Sequence, residues 1–118
     1  MKLLNALFTY GSLQLGKESD HYLKKLTGIW KDAYVLGNYI TTGKASAIGY
    51  PVIKLDPKGA KITGMLFQSN QLMSVINNID TYEGDYYQRV VTDVYLKDGS
   101  KKKAFIYELN TNEERKRK

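Results

Sequence analysis

The fold is decided by residues 87–109, which read YQRVVTDVYLKDGSKKKAFIYEL. Two runs rich in β-branched and aromatic residues, Tyr87–Leu96 and Lys102–Leu109, flank the polar segment Lys97-Asp98-Gly99-Ser100. An Asp-Gly pair between two such runs is a strong hairpin signal, because glycine adopts the positive φ that a tight turn needs. The sequence therefore predicts a β-hairpin here.

More strand patterns lie upstream of this hairpin. Leu3–Tyr10 is an apolar run typical of a buried strand. Between Ile29 and Phe67 the pattern is again β-like, and glycines and the turn Asp56-Pro57-Lys58-Gly59 interrupt it. The runs expected as strands there are 34–36, 39–40, 52–55 and 62–67.

Two short helices are expected beside these strands. The first is capped by Ser19 and stops at Gly28. The second runs from Ser69 to about Ile79, because its apolar residues recur with the 3.6-residue period of one helix face. Many strands without βαβ alternation predict an α+β fold, a small mixed, curled, barrel-like sheet with two short helices.

Length and composition predict one folded domain. The chain has 118 residues, 42% of them hydrophobic, with ten tyrosines and three phenylalanines. We expect residues 1–110 to form this domain and residues 111–118 to be a charged, poorly ordered tail. The apolar start is too short, and Asn5 interrupts it, for a signal peptide or a membrane span. A soluble, cytoplasmic protein is therefore the expectation.

The residue inventory argues against several kinds of chemistry. Without cysteine the chain has no disulfide, thiolate nucleophile or thiolate-bound metal, and with His21 as its one histidine a zinc site is not expected. The net charge of +6 comes partly from the tail and from Lys101-Lys102-Lys103. Such runs are more often solvated faces than nucleic-acid sites, so no nucleic-acid partner is expected.

Two segments far apart in sequence carry candidate chemistry. Tyr10-Gly11-Ser12-Leu13 follows the first strand, and its glycine lets backbone N–H groups approach a ligand. Asp80-Thr81-Tyr82-Glu83-Gly84 places a carboxylate just past the expected second helix. Amide donors together with a partly desolvated carboxylate suit acyl chemistry on a small amine or amide.

A wider set of residues, in order along the chain, carries a family resemblance. It comprises Tyr10-Gly11-Ser12-Leu13, Gly37, Tyr50-Pro51, Gly64 and Asp80-x-x-Glu83-Gly84-x-x-Tyr87-x-Arg89. This set resembles the γ-glutamylcyclotransferase-like family, in its short single-domain branch related to plant avirulence-induced proteins. Each motif alone is weak, but their order and spacing span the chain from Ala6 to Leu109.

The resemblance implies a fold, an activity and a set of site residues. The fold is a small mixed barrel with a pocket at one end. The activity is conversion of a γ-glutamyl amine or γ-glutamyl amino acid to 5-oxoproline and a free amine, with Glu83 as general acid/base. The loop Tyr10–Leu13 binds the γ-glutamyl group through backbone amides, and Tyr50, Arg89 and Tyr107 are further candidate substrate-binding residues. No cofactor and no metal are implied. The chain departs from the family pattern at Asp20-His21, where members often carry Asn-His.

The residues themselves are consistent with this chemistry. One carboxylate can accept a proton from the attacking amine and deliver it to the leaving amine. Burial against Tyr82, Tyr86 and Tyr87 is expected to raise the pKa of Glu83 toward a useful value. Ser12 as a nucleophile is a weaker alternative, since no base stands beside it in sequence.

Other roles remain open for several of these side chains. Tyr10 either lines the pocket or belongs to the core. Tyr107 either closes the pocket with its hydroxyl or packs within the hairpin. Arg89 either binds a substrate carboxylate or forms a structural ion pair with Asp80 or Asp85, and the ion pair is favoured.

Two further functions compete with the cyclotransferase. One is a non-catalytic module that binds a small carboxylate in the same pocket. The other is a basic nucleic-acid binder, which lacks a recognisable platform of interleaved aromatic and basic residues. The leaving group stays open among an amino acid, a polyamine, an isopeptide lysine and an antibiotic precursor, and so does the oligomeric state.

Overall fold

The computed structural model describes residues 5–10, 23, 25–40, 52–83 and 87–109, and of Glu83 it describes the backbone only. Several predictions fall outside these residues: the turn at Gly11–Leu13, Tyr50, most of the first helix and the tail at 111–118. From the first helix, Leu23 is helical and fully buried.

The described residues form strands, a short 3₁₀ helix and one α-helix. They are β1 (Ala6–Thr9), β2 (Ile29–Tyr39), β3 (Ile53–Leu55), β4 (Ala60–Gln68), the 3₁₀ helix (Leu72–Ser74), α1 (Ile76–Glu83), β5 (Tyr87–Leu96) and β6 (Lys101–Leu109). The predicted α+β class is confirmed.

The strands curl into a closed ring. Their order is β3-β2-β4-β1-β6-β5, and an additional pairing of β2 with β5 joins the two sides. Five strands therefore enclose the interior, and β3 extends the edge of β2. The barrel is mixed. β1 runs parallel to β6, with Leu7 opposite Phe105, and the other strand pairs of the barrel are antiparallel.

The predicted hairpin joins β5 to β6. Gly99 has a φ of 87°, which is the left-handed conformation that favours glycine. The Asp98 carboxylate accepts a hydrogen bond from the Ser100 backbone N–H at 2.9 Å, so the turn satisfies its own polar groups. Local turn chemistry thus fixes the register of the last two strands.

Apolar side chains bury both faces of the ring. The barrel interior holds one cluster: Ala6, Phe8, Ala33, Val35, Ile53, Ile62, Leu66, Val94, Leu96, Ala104 and Ile106. A second group, here called the outer cluster, contains Leu7, Leu23, Phe67, Leu72, Ile76, Ile79 and Tyr107. β1 contributes alternate residues to both clusters, which explains its uninterrupted apolar sequence.

The second helix differs from its predicted bounds. Instead of one helix over Ser69–Ile79, the 3₁₀ helix precedes α1, which continues to Glu83. The Ser69 hydroxyl accepts a hydrogen bond from the Gln71 N–H at 3.0 Å and donates to the Thr27 carbonyl at 2.6 Å, which holds Ser69 outside the helix. The 3.6-residue apolar period correctly predicted the buried face of this helix but not the residues at which the helix begins and ends. Glu83 consequently lies in the last turn of α1, not beyond it.

Candidate functional site

The final turns of α1 are connected to the β5–β6 hairpin by one carboxylate. Asp80 Oδ1 accepts a hydrogen bond from the Tyr107 hydroxyl at 2.6 Å and lies 3.3 Å from Arg89 Nε. Arg89 on β5 and Tyr107 on β6 are directly opposite each other in the sheet. The sheet therefore presents two donors side by side to a single helical acceptor, and one of the two is charged.

Arg89 is held from more than one direction. Its guanidinium carbon lies 4.8 Å from the centre of the Phe105 ring, and its side chain is 26% exposed. The structural ion pair favoured by the sequence is present, with Asp80 as the partner. Within the described part of the chain, the Nη1 atom of Arg89 is buried and has no hydrogen-bond partner. Such a donor costs about 1–3 kcal/mol when it stays unpaired.

Tyr10 connects the end of the first strand to the same hairpin. Its hydroxyl donates to the Tyr107 carbonyl oxygen at 2.5 Å, and its ring stacks on Phe8 with centroids 6.4 Å apart. Tyr10 also packs against the barrel interior. Because Gly11 follows directly in sequence, this hydrogen bond fixes the point at which the chain enters the predicted glycine turn.

Tyr107 is therefore the meeting point of the two segments that the sequence singled out. It accepts from Tyr10 through its carbonyl and donates to Asp80 through its hydroxyl. Its side chain is 95% buried, with 5% exposed, in the outer cluster. One residue of β6 thus contacts both the entrance to the glycine turn and the helix that ends at Glu83.

Several predicted site residues lie outside the described structure. Gly11, Ser12, Leu13 and Tyr50 are among them, and so is the side chain of Glu83. Tyr82 and Tyr87, two of the three tyrosines expected around Glu83, are partly buried and pack against the outer cluster. The roles of all these residues, and substrate contact by Tyr10, Arg89 and Tyr107, remain predictions.

The described residues show no metal centre. In those ranges no group of three or more His, Cys, Asp and Glu residues could hold a metal ion. None of the helices described is both long and apolar enough to cross a membrane.

A separate cleft of about 660 Å³ lies on the outer face of the barrel, and the turn of the β5–β6 hairpin forms one side of it. Its lining includes Asp32, Tyr34, Lys61 and Lys97. Asp32 is paired with Lys97 at 2.9 Å, and the Lys61 ammonium lies 4.9 Å from the centre of the Tyr34 ring. The Asp32 side chain is 59% exposed, whereas that of Asp80 is 36% exposed, so the cleft offers a less desolvated carboxylate for acid–base chemistry than the end of α1 does.

Sequence reasoning missed one buried charge near the site. Glu108 follows Tyr107 on β6 and is 6% exposed. Its carboxylate accepts hydrogen bonds from Lys54 Nζ, the Leu55 N–H and Gln88 Nε2. The available signal was a charged residue within the otherwise apolar run Phe105–Leu109.

The described strands form a closed mixed barrel, and α1 packs against its outer cluster. The chain belongs to the family described as "Gamma-glutamyl cyclotransferase, AIG2-like", whose model matches residues 7–118. This confirms the resemblance inferred from the motifs. No curated protein is similar enough in sequence to match the chain.

Solved structures share the fold. YkqA from Bacillus subtilis has a TM-score of 0.69 and 24% identity over 92% of this chain, which spans 36% of that protein. An AIG2-like protein from Mus musculus has a TM-score of 0.68 and 17% identity, with 93% of this chain and 80% of the mouse chain covered. A protein named gamma-glutamyl cyclotransferase has a TM-score of 0.64 and 18% identity, with 90% of this chain and 66% of that protein covered. At these identities the likeness supports the barrel fold alone.

Proposed function

We propose that this protein is a cyclotransferase that converts a γ-glutamyl amine or γ-glutamyl amino acid to 5-oxoproline and a free amine. Family membership supports the reaction class. The observation that carries the proposal for this chain is the pair of contacts at Tyr107. They bring the entrance to the Tyr10–Leu13 loop and the helix that ends at Glu83 to one residue of β6.

The reaction is an internal acyl transfer. The α-amine nitrogen of the substrate attacks its own γ-carbonyl carbon, a C–N bond forms and the ring closes. The original amide C–N bond breaks and releases the amine. Because both reacting groups belong to one molecule, the enzyme needs only to select the folded conformer and move protons.

Glu83 is the proton carrier in this proposal. Its carboxylate accepts a proton from the attacking amine and returns it to the departing nitrogen, so the enzyme ends each cycle unchanged. The reaction in this form requires no metal and no cofactor. Tyr82, the residue before Glu83, and Tyr87 at the start of β5 are partly buried against the outer cluster. The proposal places the Glu83 carboxylate beside them, where an apolar setting would raise its pKa.

Substrate binding is assigned to the residues around this acid. Backbone amides of Gly11, Ser12 and Leu13 bind the glutamyl group and the oxyanion that develops at the γ-carbonyl. The Arg89 guanidinium, whose side chain is 26% exposed, is the proposed donor to the substrate α-carboxylate. Tyr10, Tyr50 and Tyr107 are the remaining proposed substrate-binding residues of this pocket.

The test is 5-oxoproline release from a panel of γ-glutamyl compounds whose leaving groups are an amino acid, a polyamine, an isopeptide lysine and an antibiotic precursor. We expect turnover of at least one compound. Glu83→Gln should lower kcat by about 10²- to 10⁴-fold, the usual contribution of general acid–base catalysis. Asp93→Asn, a carboxylate paired with lysines on the hairpin, is the matched control. Equal release by wild type and Glu83→Gln would contradict the proposal.

The partly exposed guanidinium of Arg89 also suits a second candidate, a module that binds a small carboxylate without reaction. Thermal-shift measurements with 5-oxoproline separate the two candidates. Stabilisation of the protein without turnover of any panel compound would support the module.

A further inference from the structure

We propose that Asp80 is a positioning residue that holds Glu83 in place for proton transfer. The inference rests on the proposed function, because it assigns to Asp80 the support of the acid in that reaction. Asp80 is fixed by two donors from neighbouring strands, Tyr107 at 2.6 Å and Arg89 at 3.3 Å.

The helix needs such support near its C-terminal end. α1 has eight residues, and a helix of this length is marginal unless tertiary contacts stabilise it. Ile76 and Ile79 bury its first turns in the outer cluster. Beyond Ile79, Tyr82 packs against the outer cluster, and Asp80 contributes polar contacts between the helix and the sheet through Tyr107 and Arg89.

The position of Asp80 is unfavourable on its own. A carboxylate in the last turns of a helix faces the partial negative charge of the helix C-terminus. The last turn of α1 contains no basic residue that could offset it. The Arg89 guanidinium provides this compensation from β5, so the helix end and the strand are coupled by charge as well as by geometry.

The spacing transmits this constraint to the acid. Asp80 and Glu83 are three residues apart in one helix, so they occupy neighbouring positions on its surface. Fixing the Asp80 carboxylate against two strands therefore restrains the backbone that carries Glu83. The Tyr107 carbonyl accepts a hydrogen bond from the Tyr10 hydroxyl. Tyr107 therefore also contacts the residue at which the proposed substrate loop begins.

The test compares Asp80→Ala, Asp80→Asn and Tyr107→Phe in turnover assays on the full chain. A displacement near 1 Å can cost about 100-fold in rate, so we expect Asp80→Ala to lower kcat by about 10- to 100-fold. The loss in kcat should exceed any change in KM, because Asp80 itself does not contact substrate and reaches it only through its ion pair with Arg89. Asp80→Asn keeps an oxygen that can accept from Tyr107 and should recover part of kcat. Tyr107→Phe keeps the ring and the carbonyl, loses the bond to Asp80, and should reproduce much of the loss.

Asp93→Ala is the matched control, because it removes a carboxylate paired with two lysines away from α1. Amide hydrogen exchange should quicken in the last turn of α1 in Asp80→Ala and not in the control. If Asp80→Ala does not fold, Asp80→Asn and Tyr107→Phe carry the same comparison.

The outcomes are distinguishable. If the wild type is active and both Asp80→Ala and Tyr107→Phe keep the wild-type kcat, the positioning role is overturned and the proposed function stands. A rise in KM at unchanged kcat also overturns it. A wild type that releases no 5-oxoproline from any panel compound overturns the proposed function and this inference together.

Discussion

Replacing Glu108 by Gln tests the energetics of the buried charge beside the site. The carboxylate presents two oxygens to three donors: Oε1 accepts from Lys54 and Gln88, each at 3.2 Å, and Oε2 accepts from the Leu55 N–H at 3.1 Å. A glutamine has one acceptor oxygen and must turn its NH₂ group toward a donor on one side. At least one buried donor consequently loses its partner.

The expected cost follows from these contacts. An orphaned buried donor costs about 1–3 kcal/mol. The Lys54 contribution is discounted, because that side chain is 40% exposed. We expect Glu108→Gln to lower the free energy of unfolding by about 2–3 kcal/mol, which corresponds to roughly 10 °C in Tm for a domain of this size.

Denaturant unfolding, followed by the fluorescence of Trp30, measures this change. Trp30 is the one tryptophan and packs against the outer cluster. Asp93→Asn is the control: it removes a carboxylate charge that is paired with exposed lysines on the hairpin and should leave the free energy of unfolding close to the wild-type value. A Glu108→Gln variant within about 0.5 kcal/mol of wild type would refute the reasoning.

The remaining predictions concern two glycines and one surface ion pair. Gly64→Ala brings a Cβ into collision with the Thr9 backbone oxygen and should cost about 3 kcal/mol in denaturant unfolding. Wild-type stability of this variant would show that β1 and β4 can move apart at no cost. In Gly99→Ala the new Cβ meets no atom within 4 Å, but the alanine must adopt a φ of 87°. The free energy of unfolding should therefore fall by about 1–2 kcal/mol, less than in Gly64→Ala. A larger loss than in Gly64→Ala would contradict this prediction. The hydrogen bond from Lys103 holds the pKa of Asp93 below its usual value, so this stabilisation is present at neutral pH and is lost as the pH falls through the lowered pKa. Carboxyl NMR titration should find the pKa of Asp93 raised in Lys103→Gln, and an unchanged value would contradict the assigned cause.

Local chemistry explains which parts of the fold were predictable from the sequence. The hairpin follows from Asp98-Gly99, since that pair fixes a turn without help from the rest of the chain. The apolar period of α1 correctly predicted its buried face. Its ends were predicted wrongly, because the Ser69 contacts that delay the helix involve Thr27, which is distant in sequence.

Long-range contacts account for what the sequence did not predict. The parallel pairing of β1 with β6 joins opposite ends of the domain, and no local pattern encodes it. The sequence suggested Arg89 as a partner of Asp80 but not Tyr107, which lies 27 residues away. The cluster around Glu108 similarly draws its donors from β3 and β5.

The central claim is that the glycine turn and the end of α1 form one binding site. An NMR titration with 5-oxoproline, the proposed product, tests this directly. We predict amide shift changes that saturate and concentrate at Gly11, Ser12, Leu13 and the last turn of α1. Changes confined to the cleft around Tyr34 and Lys61, or no change at millimolar concentration, would contradict the account.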